Sequence, residues 1–441
     1  MTRRSAALAA VAALWLVAPA AAPASSTDWT TLRTLNITHQ GGEDEAPSGT
    51  IYAFARSMRL GADMLEVDIH TTADGQVIIL HDGNVDRTTS GTGSVYEQTL
   101  EQVQSYDAAH DFVPGVGTTT EHPAEDYVFR GVRTGEKPPP RGFKPDDFRI
   151  PTLVELMRKY PTVPINIEIK GRADSDAQSF LDNADALAKV LTDIGRTEGI
   201  IVASFNDAAI THFQELMPEV DLAPSIAETA AFKFGSVPPG PGKVAFQVPI
   251  TLGGATVTDQ DFVDRSHAQR LAVHVWLSND PENDEVYNAL LDMGVDAVMP
   301  AAPAAFERVL CERKVARPAR PAGFPGRHCN HGNVSIACDV TPTFVDRVSR
   351  KGVVAVRVQR RDKFAGMCNG RVSVRAAGRT RSGRFSFGPE PGTQDKPQVA
   401  VVPVKLPARM RRLVAKRPRR ATVTTRAFQA YGQSAKFTLK R

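Results

Sequence analysis

Eight short apolar runs, spread over residues 34–304 and separated by amphipathic stretches, constrain this chain more than any other feature. They fall at residues 35–39, 64–68, 165–169, 200–204, 222–224, 244–248, 271–277 and 297–299. Between most of them the apolar residues recur with helical spacing, as at 51–60, 153–159, 180–193 and 286–293. Thr152 stands where the second of these helices needs an N-terminal cap. Strand then helix, repeated, requires parallel strands joined by crossover helices, because a tight turn joins only antiparallel neighbours. Eight repeats predict an α/β chain with a TIM (β/α)8 barrel. An open parallel sheet would have the same local pattern.

One stretch breaks the rhythm. After residue 68 the chain runs on through Asp74-Gly75 into a second β-rich segment, the signal of a tight hairpin. A two-residue turn pairs Ala73 with Gln76, and counting back along the ladder sets His81 opposite Asp68. Residues 107–149 have little periodicity and contain Pro138-Pro139-Pro140. An insertion of that length predicts a lid, a binding loop or disorder.

The net charge of +4 hides a division. Residues 311–441 hold 30 Lys and Arg against 6 Asp and Glu, whereas residues 1–310 hold 23 against 43. An acidic body with a basic tail marks an organisational boundary. Residues 311–337 read as a linker. Residues 338–441 change to alternating runs at 352–358, 371–375, 384–387, 399–406, 422–426 and 436–439, the pattern of a small antiparallel β-sandwich. Seven basic residues between Arg409 and Arg420 suit an anionic cell-envelope polymer or lipid surface. No nucleic-acid-binding motif is recognisable, so nucleic acid is not an expected partner.

Arg3 and Arg4, the apolar run at 7–17 and Ala22-Pro23-Ala24 form a secretory signal peptide over residues 1–24, leaving 25–310 for the barrel. The apolar run is shorter than the roughly 20 residues of a spanning helix. The expected location is therefore extracellular, or associated with the cell envelope. Export favours disulfides, and Cys311–Cys329 and Cys338–Cys368 each close a short loop. Zinc is disfavoured by the lack of a Cys-x-x-Cys pair.

Four clusters carry chemistry: His39-Gln40-Gly41, Glu66-Val67-Asp68, His81-Asp82 and Glu168-Ile169-Lys170. Glu66 and Asp68, two apart on a strand, share a face. Residues at the C-terminal ends of barrel strands converge on one mouth, so Glu168 joins them. Three carboxylates around one point need a cation between them, and hard oxygen ligands select Mg2+ or Ca2+. His39 and His81 beside such a cation supply an acid and a base for phosphoryl chemistry. Lys170 adds positive charge to the same place.

These clusters, with Asp86-Arg87-Thr88-Thr89, Pro151-Thr152-Leu153, Ser204-Phe205-Asn206 and Trp276, resemble the glycerophosphodiester phosphodiesterase family over roughly residues 35–300. The resemblance implies a TIM barrel that hydrolyses glycerophosphodiesters to glycerol 3-phosphate and an alcohol. It implies that His39 and His81 are the catalytic pair and that Glu66, Asp68 and Glu168 are the metal ligands. Gln40, Lys170 and Trp276 fall on the substrate side. Two departures stand out. The family usually has Arg at the position of Gln40, and Glu-Asn at the positions of Ser48-Gly49. Glu43, Asp44 and Glu45 make this corner unusually acidic, either tuning the metal or simply solvated. Two other readings fit the same residues: a sphingomyelinase D-like enzyme releasing a cyclic phosphate, and an inactive barrel that binds envelope polymer.

Overall fold

The computed structural model describes residues 27–32, 34–277, 280–315, 340–345, 347–360, 368–387, 398–427 and 433–439. The expected signal peptide, most of the linker and both expected disulfide pairings lie outside the described residues or side chains. Cys311 is disulfide-bonded.

All eight expected barrel strands are present: Leu35–Thr38, Met64–Thr71, Ile165–Ile169, Ile200–Ala203, Asp221–Leu222, Ala245–Pro249, Ala272–Trp276 and Ala297–Met299. They are called the first to the eighth strand below. Sequence neighbours pair in parallel, and the first strand also pairs with the eighth. The fifth and sixth strands meet only at a bridge between Leu222 and Lys243, where Leu222 N donates to Gly242 O (3.0 Å) and Val244 N to Leu222 O (2.9 Å). The sheet is thus a nearly closed barrel. Strands buried on both faces read as continuous apolar runs, which is why the sequence revealed them. Ile37, Met64, Ile201, Ala245, Ala272 and Ala297 form one cluster with Trp29, whose indole N–H donates to Asp221 Oδ2 (2.8 Å). Leu65, Val67, Ile167 and Val202 pack with residues of the surrounding helices.

Helix Ile51–Leu60 starts where Thr50 Oγ1 accepts from Ala53 N (3.2 Å) and ends at Gly61, in the left-handed region at φ 109°. The 107–149 insertion packs on it: Tyr52 stacks on Phe148 at 4.6 Å and meets Phe129 and Phe143 edge-on or tilted. The expectation of a lid or a disordered loop is corrected. The segment is held by aromatic packing, and none of its residues lines the cavity described below. Gly115 N donates to Asp44 O (2.9 Å), which braces the loop after the first strand.

The hairpin also needs a correction. The observed pairs are Ile69–Ile79, His70–Ile78 and Thr71–Val77, one residue out of the expected register. Thr72 Oγ1 bonds Asp74 Oδ1 (2.6 Å) and accepts from Gln76 N (3.0 Å), closing a three-residue loop with Gly75 at φ 74°. Leu80, not His81, therefore faces Asp68, with Leu80 N donating to Asp68 O (3.0 Å). His81 enters the site from the loop that follows.

Helix Pro303–Glu312 runs two residues past the expected end of the barrel. The C-terminal unit contains a three-stranded and a four-stranded antiparallel sheet. The two share a core that includes Val354, Val356, Val372, Val374, Val402 and Val423. Strand Val340–Val345 and helix Ala408–Lys416 were not anticipated. The helix buries Met410 and Val414 and turns Arg409 and Arg412 outward, so the basic run is divided between a helix face and the strand that starts at Arg419.

Candidate active site

The second and third strands pair Asp68 with Glu168 in register, and Glu66 lies two residues earlier on the same face. One oxygen from each of Glu66, Asp68 and Glu168 lies within 4.8 Å of the others. Lys170 Nζ stands 3.1 Å from Asp68 Oδ1 and 2.6 Å from Glu168 Oε1. Burial and the neighbouring Asp68 charge push the Glu66 carboxyl up to about 8. Burial acts the same way on Glu168 and outweighs the help from Lys170. For Asp68, burial is outweighed by Lys170, His81 and His39, so it titrates low. The cluster thus has more negative charge than Lys170 alone balances.

A divalent cation fits this donor set. Asp68 Oδ2 is buried without a hydrogen-bond partner, three carboxylates converge, and all the donors are hard oxygens.

His39 follows the first strand at the start of a single 3-10 turn, and its Nδ1 lies 2.7 Å from Glu43 Oε1. Burial alone would depress this imidazole, but Glu43, Glu66 and Asp68 together raise it well above its ordinary value. His81 is held in the same way, Nδ1 to Asp82 Oδ1 at 2.6 Å, and Arg87 grips both oxygens of Asp82 at 2.6 and 3.0 Å. Each carboxylate fixes Nδ1 as the protonated nitrogen and leaves Nε2 for the site.

A second layer fixes the backbone. His70 Nε2 donates to His81 O (3.1 Å), and His70 Nδ1 accepts from Tyr96 Oη (2.6 Å). Tyr96 Oη accepts from Asn183 Nδ2 (2.9 Å), which also donates to Lys170 O (2.7 Å). Burial holds His70 down to about 4, so it is neutral and this proton order is stable. Deeper in the barrel, Asn166 and Gln247 exchange two amide hydrogen bonds across the bore.

His39, Glu66, His81, Glu168, Lys170 and Trp276 all line one cavity of about 340 Å³. Gln40 is not among its lining residues. It is buried at φ 48°, its N–H donates to Glu66 Oε2 (2.6 Å), and its side-chain oxygen accepts from Ser48 Oγ (2.5 Å). The acidic corner is not solvated: Glu43 bonds His39, and Glu45 is fully buried against Arg56 at 2.5 Å. The sequence reading offered metal tuning or solvation for Glu43 and not its bond to His39, although its spacing of four from His39 is a usable signal. It missed His70, Tyr96 and Asn183 altogether.

The fold and site together define a TIM-barrel protein with an acidic centre flanked by two oriented imidazoles. Residues 39–304, more than half of the chain, match the glycerophosphoryl diester phosphodiesterase family, and the chain belongs to that family. It is 32% identical over 193 residues to a glycerophosphodiester phosphodiesterase of Caldanaerobacter subterraneus subsp. tengcongensis, covering 43% of this chain and 66% of that protein. The match therefore spans just under two thirds of that relative. A Bacillus subtilis glycerophosphodiester phosphodiesterase is 25% identical over 299 residues, 67% of this chain and 92% of that one. The crystal structure of a glycerophosphoryl diester phosphodiesterase domain from Mycobacterium tuberculosis aligns at 19% identity with a TM-score of 0.49, over 63% of this chain and 98% of that one.

Proposed function

We propose that this chain is a divalent-metal-dependent phosphoric diester hydrolase that converts glycerophosphodiesters to glycerol 3-phosphate and an alcohol. The observation that carries this reading is the cluster of Glu66, Asp68 and Glu168, two of which, Glu66 and Glu168, line one cavity with His39 and His81. The three carboxylates would hold Mg2+ or Ca2+. When bound, such an ion offsets the charge that develops on the phosphoryl oxygens.

His39 and His81 handle the protons. One imidazole accepts the proton of the attacking water as its oxygen bonds to phosphorus. The other gives a proton to the alkoxide as its bond to phosphorus breaks. Glu43 and Asp82 hold each ring through Nδ1, so neither has to reorient during the reaction. Lys170 offsets part of the carboxylate charge, and Trp276 supplies an apolar wall.

Glycerophosphocholine turnover with EDTA treatment and metal add-back tests the assignment, and phosphorus NMR separates a monoester product from a cyclic one. His39→Ala and His81→Ala should each lower kcat by at least about 100-fold with little change in Tm. A near-normal rate in either variant removes that residue from the mechanism.

The sequence also supports export, with residues 1–24 removed, and contact of the basic C-terminal unit with an anionic polymer or lipid surface. N-terminal sequencing of the cell-free protein and salt-dependent sedimentation with anionic vesicles test these two points. Among the described residues no helix is long and apolar enough to cross a membrane.

A further inference from the structure

We infer that the substrate carries a single acyl chain on its glycerol, and that an apolar groove running outward from the carboxylates binds that chain. The inference rests on the phosphodiester-hydrolase reading above and extends its substrate class to acylated glycerophosphodiesters, whose product is an acylglycerol 3-phosphate. Among the described barrel residues, the large apolar side chains left exposed are Phe205 (53%), Leu216 (43%), Ile226 (48%), Phe234 (79%), Val237 (55%) and Leu252 (57%). Four of them, Phe205, Ile226, Phe234 and Leu252, line the cavity that also holds His39, Glu66, His81, Glu168 and Lys170. Exposed apolar side chains scattered singly mean little, whereas a group gathered on one concave site marks a binding surface.

The group has a structural origin. Phe205 follows the fourth strand, Ile226 and Phe234 lie on helix Ile226–Gly235 after the fifth, and Leu252 lies on the hairpin Thr251–Leu252/Ala255–Thr256 after the sixth. Three consecutive loop regions at the mouth of the barrel thus contribute to one wall. The groove joins the polar end directly: Lys170 Nζ sits 5.6 Å from the Phe205 ring centre, and Phe205 meets Trp276 edge-on at 6.0 Å.

A deacylated glycerophosphodiester is polar throughout and would leave this wall in water. An acylglycerol phosphodiester is polar at phosphorus and apolar beyond it, matching the two ends of the cavity. A volume of about 340 Å³, near the lower end for small-molecule sites, suits one chain rather than two. In the reaction water adds to phosphorus, the bond to the leaving alcohol breaks, and the alcohol takes the proton. The phosphomonoester keeps the acyl chain.

The full chain with its divalent metal is assayed on glycerophosphocholine and on its butanoyl, hexanoyl and octanoyl monoesters, all kept monomeric. The expected result is a kcat/KM that climbs with chain length, by up to about fourfold per buried methylene. In Phe234→Ser and Leu252→Ser the ratio of octanoyl to glycerophosphocholine turnover should fall about tenfold. A flat series with glycerophosphocholine still hydrolysed overturns the groove and leaves the hydrolase reading intact. Failure to turn over any of the four diesters overturns both. A flat series together with loss of phosphatidylcholine-vesicle binding in the two variants gives the surface to a membrane instead, and also overturns the inference.

Discussion

Ser48 Oγ donates a 2.5 Å hydrogen bond to Gln40 Oε1, so the two positions that depart from the family pattern touch each other. Where the family resemblance has Arg and Glu, this chain has a neutral pair. Gln40 is buried, so an Arg placed there alone would bring a cation opposite a hydroxyl. Gln40→Arg is expected to lower stability by about 2–3 kcal/mol, and Gln40→Arg with Ser48→Glu to recover most of it. Thermal melts of the three proteins check this, and a double variant no better than the single would show that the positions are not coupled.

His70 is a positioning residue, acting on His81 through its backbone carbonyl. His70→Leu should reduce kcat by about 10- to 100-fold with KM nearly unchanged, because a shift of the order of an ångström in a reacting group has that effect. Asn at this position keeps a donor and should restore part of the rate. Equal losses in the Leu and Asn variants would argue for a packing role alone.

Metal should be visible without any assay of activity. Saturating Mg2+ or Ca2+ at about 100 times its Kd stabilises a protein by about 3 kcal/mol, so Tm should rise on addition and fall with EDTA. Asp68→Asn should abolish the response, because Asp68 Oδ2 is buried in the carboxylate cluster with no hydrogen-bond partner. An unchanged metal-induced shift in that variant would move the cation elsewhere.

His274, inside the barrel on the seventh strand, has neither ring nitrogen hydrogen-bonded, and burial holds it down to about 3. Its ordinary value is 6.5, so between the two values the unfolded chain binds a proton that the folded chain refuses. Its contribution is intact above pH 6.5 and is lost as pH falls toward 3, on the order of 5 kcal/mol in all. His274→Leu should flatten that part of the stability–pH curve, as measured by urea melts from pH 7 downward. An unaltered slope would mean that other groups dominate acid unfolding.

The barrel was legible because its strands are apolar on both faces, and the metal ligands because Glu66 and Asp68 keep a spacing of two at a strand end. The hairpin register was not, because the Thr72 side chain selects a three-residue loop where Asp74-Gly75 alone suggested two. The insertion hid its order because Phe129, Phe143 and Phe148 follow no period and cohere only around Tyr52. Helix Ala408–Lys416 was masked by its arginines, with Met410 and Val414 its buried anchors. The partners of His70 were beyond reach: Tyr96 is 26 residues away, Asn183 lies 87 beyond that, and only the tertiary fold brings them together.

The sparse pairing of Leu222 with Lys243 leaves one stave of the cylinder loosely hooped. Amides there should take up deuterium sooner than those of the five-residue ladder between the sixth and seventh strands. Helix Ile226–Gly235 and the Thr251–Thr256 hairpin flank this gap, whereas Glu66, Asp68 and Glu168 stand on the second and third strands, which a five-residue ladder joins. The slackest seam of the cylinder thus lies beside the greasy wall, and the ionic centre rests on fully laced staves.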